Sequence, residues 1–122
     1  MSEVARKAVA AWTRVEAALA PIIGHNGVFA LFRRSVALAR ADYSFLTLVP
    51  QVLPPLRPRV FSALGVALSA QHPAEAAAAN QRLLRTFREQ LGRLIGESLT
   101  ERLLRPIWSD IYHDPPLQEP QP

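Results

Sequence analysis

The chain has 122 residues, 49% of them hydrophobic, no cysteine and a formal net charge of +4. That length fits one domain and that apolar share can fill a core, while the missing cysteine excludes disulfides, thiolate metal sites and a cysteine nucleophile. The basic balance rests on thirteen Arg and one Lys, and it suits nucleic acid, an anionic surface or an acidic protein partner.

The opening MSEVARKAVAAW lacks a continuous apolar region followed by a cleavage site, so no secretory signal is expected. The longest apolar runs are broken by Pro or charge, so no membrane span of about 20 residues is expected either. These absences point to a cytoplasmic protein. Ser2 is a plausible N-cap, and Val4, Ala8, Ala11, Trp12, Val15 and Leu19 recur at helical spacing. A first helix over about 3–20 is predicted, with Pro21 and Gly24 marking its end or an extra turn.

The segment 21–27, PIIGHNG, is the most site-like loop, but it has neither the Lys-Ser/Thr of a P-loop nor a GxGxxG. It reads as a connection, with Asn26 capping a second helix over about 27–42. That helix turns Val28, Leu31, Phe32, Ser35, Val36, Leu38 and Ala39 inward. Arg33, Arg34 and Arg40 stand outside and form the densest positive patch. Pro50, Pro54, Pro55 and Pro58 then forbid a long regular helix in the apolar stretch 43–58, which reads as a packed crossing segment.

A third helix over about 59–70 carries Val60, Phe61, Leu64, Ala67 and Leu68 inward. Pro73 suits the first turn of a fourth helix over 73–95. There Leu83, Leu84, Phe87, Leu91, Leu94 and Ile95 share one face, with Gly92 inside the pattern. Gly96 suits a left-handed C-cap, and Ser98 with Glu101 forms a capping-box pattern. A stop signal so close to a start signal predicts an αα-corner at Gly96–Ser98 and a fifth helix from Leu99 to about Tyr112, with Leu99, Leu103, Leu104, Ile107, Trp108 and Ile111 inward. Pro106 should kink or end it near Arg105. The proline-rich tail 114–122 is expected to be disordered.

His25, His72 and His113 each fall at a predicted helix boundary, with no i, i+4 pair and no HExxH. None sits in the HxxKG-type setting of a histidine phosphotransfer module. A helix-turn-helix reader would need free polar residues on its second helix, and only Thr100, Glu101, Arg102 and Arg105 qualify. The runs NGVFALFRRSVALAR and LIGESLTERLLRPIW resemble small uncharacterised bacterial all-helical proteins, some encoded near two-component signalling genes. That resemblance implies a regulatory or adaptor role and carries over no catalytic residue.

The expectation is therefore an all-α, single-domain bundle of about five helices over 1–113. Its function is read as non-enzymatic: a protein–protein interaction or regulatory module with no catalytic, cofactor or metal residues. Arg33, Arg34 and Arg40 are the candidate contacts for an acidic protein partner, with a homodimer as a second option. A basic nucleic-acid-binding regulator is the alternative, and a small-ligand sensor the third reading.

Overall fold

The structure, a computed structural model, describes residues 2–49 and 57–112. It is all-α: α1 (Glu3–Ala39), a 3-10 turn (Ser44–Leu48), α2 (Arg57–Ser69), α3 (Pro73–Ile95) and α4 (Glu97–Tyr112), with no strand among the described residues. Among the described residues there are four helices rather than about five, because the connection expected over 21–27 contracts to one non-helical residue, Gly24 (φ 80, ψ 158), which joins two helical arms within α1. Ser2 caps α1 as expected, its hydroxyl accepting from the Ala5 amide at 3.2 Å.

The two arms of α1 on either side of Gly24 pack face to face. In a straight helix Trp12 and Phe32 would lie about 30 Å apart; their ring centroids are 4.9 Å apart. His25 Nδ1 likewise comes within 2.6 Å of Glu16 Oε2. The arms therefore form a helical hairpin. Gly27 is pressed against the first arm's end, where a Cβ would meet Ile23 side-chain carbons at 3.2 and 3.3 Å.

By length and composition α1 could cross a membrane, with a mean hydropathy of 1.4 over its best 18-residue window. Every window of that length in α1 with two or fewer charged residues contains Gly24. The reversal at that residue bends each of these α1 windows.

Trp12 is the centre of the core. It makes edge-on contacts with Phe32 (4.9 Å) and Phe87 (5.2 Å) and stacks on Phe61 at 6.2 Å. One indole thus touches the other α1 arm, α2 and α3. Its Nε1–H donates to Asn80 Oδ1 at 2.9 Å inside the core, which satisfies the one polar group an indole carries. Around it Val15, Leu19, Leu64, Leu68, Leu83, Leu84 and Leu91 are fully buried. Leu104 and Ile107 seal the α4 side.

α3 begins at Pro73, with His72 Nδ1 accepting from the Ala74 amide at 3.2 Å. Its buried stripe stops at Leu91; Leu94, expected inside, is 60% exposed. Leu38, also expected inside, is 47% exposed, because the buried face of the second α1 arm is narrower and runs through Val28, Phe29, Phe32, Ser35, Val36 and Ala39.

The corner after α3 forms, but by a different device. Gly96 alone separates Ile95 from Glu97. Its N–H donates to the Gly92 carbonyl at 2.9 Å, and its own carbonyl accepts the Thr100 N–H at 3.1 Å and the Thr100 hydroxyl at 2.7 Å. One residue closes the first helix and opens the second. At φ 95, ψ 151, it occupies extended backbone of positive φ rather than the left-handed helical region. With α4 starting at Glu97, Ser98 lies within its first turn and is exposed. The predicted capping box is not formed: Glu101 pairs instead with Arg88 (3.0 Å) and Arg105 (3.4 Å). Nor does Pro106 end the helix, which runs on to Tyr112.

The expectations for Pro50, Pro54 and Pro55, for the side chains of Val60, Trp108 and Ile111, and for the tail 114–122 lie outside the described residues.

Candidate interaction site

The second arm of α1 is a helix with one buried face and one free face. Inward residues recur at three- and four-residue spacing from Val28 to Ala39, which ties the arm to α2 through Phe29 and Phe32 against Phe61 (both 5.2 Å). It is tied to α3 through Ser35, whose hydroxyl accepts from Gln90 Nε2 at 2.8 Å. What remains outside is Ala30, Arg34, Ala37 and Leu38, all exposed.

The three arginines of the candidate patch stand around this free face without forming one cluster. Arg33 and Arg40 are seven residues apart, so they share an edge of the helix, and both are half-buried. Arg34 is exposed on the opposite edge, one turn from Leu38. Among the described residues none of the three makes an ion pair. The nearest acid in sequence, Asp42, is held by Arg82 of α3. Arg33 Nε is shielded from water and has no hydrogen-bond partner among the described residues. A buried donor of a charged group without an acceptor is costly.

Other polar groups are engaged locally. The 21–27 turn brings His25 onto Glu16, and Asn26 is exposed and makes no capping bond, so the predicted cap is absent; Gly24 makes the turn instead. His72 caps α3. Ser35 donates to the Leu31 carbonyl at 2.8 Å while accepting from Gln90, and Ser69 accepts from the Ser2 amide at 3.0 Å. Both hydroxyls are thereby tied to structural partners. Among the described residues no group of three or more His, Cys, Asp or Glu is placed to hold a metal ion.

A shallow hollow on α4 is lined by Ser98, Glu101, Arg102, Arg105 and Pro106. Within it the hydrogen bond from Arg88, helped by the charges of Arg88 and Arg105, holds the Glu101 carboxyl below the usual glutamate range. That carboxylate is already paired with two cations, while Arg102 stands exposed on the rim.

Sequence reasoning missed a polar seam between α1 and α3. Asn80, Thr86 and Gln90 are buried on α3. Asn80 bonds to Trp12 and Gln90 to Ser35 across the seam, while Thr86 accepts from Arg82 Nε (3.3 Å) within α3 itself. The available signal was the spacing: residues 80, 83, 87, 90 and 91 continue one helix face, and two of them are amides.

No protein-family model matches the chain, and no curated protein or solved structure matches it.

Proposed function

We propose that the protein is a non-enzymatic interaction module, regulatory or adaptor in kind, that works through the free face of the second α1 arm. The observation that carries this reading is Leu38. It is 47% exposed on a helix whose other apolar side chains are mostly turned inward. It also lies one turn from Arg34 and on a face edged by Arg33 and Arg40. An exposed leucine alone means little; beside arginines without ion pairs, it has the composition of a small recognition surface.

Chemical cross-linking in the native host, followed by affinity capture and mass spectrometry, tests the reading. The expected result is a defined partner cross-linked through residues 30–41. A basic nucleic-acid-binding regulator is the competing reading, supported by the +4 net charge. Salt separates the two, since release of counterions from phosphates makes nucleic-acid affinity fall steeply with salt. A gel shift that disappears between low and moderate salt, with no protein cross-linked, would favour the competing reading.

A further inference from the structure

We infer that the partner on this face is an acidic amphipathic helix of another protein, with carboxylates along both edges of an apolar stripe. The inference rests on the interaction reading above and names the class of partner. Three features of the second α1 arm lead to it.

The first is charge. Arg33, Arg34 and Arg40 have no acid partner among the described residues, and Asp42, the one acid beside them, is occupied by Arg82. A second copy of this chain would bring three cations against three, so the face is not built for itself. Arginine also presents a planar fork that meets a carboxylate with two parallel hydrogen bonds.

The second feature is shape. Between the arginine edges lie Ala30 and Ala37, both exposed, and small side chains let two helices approach closely. Arg33 and Arg40 are two turns apart, about 10 Å along the axis. Carboxylates two turns apart on a partner helix would meet both, with a third acid on the other edge facing Arg34.

The third feature is the apolar contact. Leu38 is exposed and Leu31 half-buried along the Arg34 edge. A partner's apolar stripe covers them, whereas a phosphate backbone has nothing to offer a leucine. This separates the acidic helix from a nucleic acid, which would use the same cations.

The probe is a synthetic amphipathic peptide with Leu and Ala on one stripe and Glu two turns apart on its edges, titrated into isotopically labelled full-length protein. Amide shifts should be confined to the second α1 arm and its immediate neighbours. Replacing the peptide's Glu by Gln should weaken binding by about tenfold or more, equivalent to about 1.4 kcal/mol. The variant R33Q/R34Q/R40Q should do the same. Because Arg33 Nε is buried, R34Q/L38Q, at two exposed positions, serves as a second variant that leaves the fold intact by circular dichroism. No shifts at millimolar peptide, or shifts centred on α3 and α4, would overturn the proposal. So would a single-stranded DNA of equal charge that binds this face more tightly than the peptide. Cross-linking in the host keeps the two levels apart. If the wild-type chain captures partners and R34Q/L38Q captures them equally well, this face is wrong, and of the proposed function only the interaction module without its surface stands. If the wild-type chain captures none, the interaction reading itself fails.

Discussion

At Gly24 and at Gly96 the chain adopts nearly the same backbone, φ 80, ψ 158 and φ 95, ψ 151, each as a single residue between two helical stretches. Neither glycine has any atom close to where a Cβ would stand, so both are present for their dihedrals and not for space. The surroundings differ. The arms at Gly24 close on each other through Trp12, Phe32 and the rings that meet them, all buried. The helices at Gly96 are joined by Leu104 and Ile107 on one side and by the partly exposed Arg88–Glu101–Arg105 pairs on the other, and Leu94 beside the corner stays in solvent. The same exposed local device makes a hairpin whose arms close over the core in one place and attaches α4 in the other. Packing of the flanking helices, and not the turn, decides which.

The strongest way to break that comparison is at its centre. Trp12→Ala removes the side chain shared by both α1 arms, α2 and α3, and should cost about 3–5 kcal/mol in urea unfolding. If it costs less than Leu104→Ala, then the Gly24 hairpin is not the core and α4 is not peripheral.

The turns themselves come next. Extended backbone of positive φ is essentially reserved for glycine, and strain of this kind costs about 1–3 kcal/mol. Gly24→Ala and Gly96→Ala should both lose about that much by thermal or chemical unfolding. Gly96→Asn sharpens the point: asparagine tolerates a left-handed helical cap but not ψ near 151, so it should do no better than alanine. Recovery to near wild-type stability would restore the left-handed cap.

A gain is expected one turn earlier. Gly92 sits within α3, and a Cβ there would meet only the Glu97 side chain at ordinary contact, 3.7 Å. Gly92→Ala should therefore stabilise by roughly 0.5–1 kcal/mol, through a less flexible unfolded chain and better helix propensity, read as a higher urea midpoint. Gly24 and Gly96 should show the opposite sign under the same change.

The smallest effect concerns the surface pairs at the corner. Glu101 has a folded-state pKa lowered from 4.5, first by the hydrogen bond from Arg88 and then by the charges of Arg88 and Arg105. A lowered folded pKa means that its contribution is present above the unfolded value and is lost as pH falls through the folded one. Thermal melts of wild type and Glu101→Gln should therefore converge below pH 4.5 and differ slightly above it. Salt should shrink the difference. Ser98→Ala, at an exposed position that caps nothing, should change the melt by less than about 0.5 kcal/mol.

Much of the helical layout was legible before any coordinates. Helix α3 matches its predicted range, and Phe61, Leu64, Ala67, Leu68, Leu83, Leu84, Phe87 and Leu91 are buried as their spacing required. The candidate arginines were legible as residues but not as a surface. A run of three cations reads as one patch in a string, whereas the helix puts Arg34 on one edge and Arg33 with Arg40 on the other. Leu38 and Leu94 show the converse: each satisfies the helical period, yet among the described residues no neighbouring element covers it. The capping box failed for a similar reason. Ser98 and Glu101 had the right spacing, but the Gly96 carbonyl captured Thr100 and started α4 earlier.

What the sequence by itself determined is periodicity and punctuation: where apolar residues recur every three or four positions, where Pro opens α3, and where Gly permits positive φ. Those are properties of one residue and its neighbours along the chain, so they can be read in order. Only the tertiary structure decided that the α1 arms fold against each other at Gly24 and that Trp12 finds its hydrogen-bond partner 68 positions away in Asn80. It also decided that Arg34 and Leu38 are left exposed while Arg33 and Arg40 are half-buried along the other edge. Each of these depends on which helix faces cover one another, and coverage is a property of the packed whole that no local pattern carries.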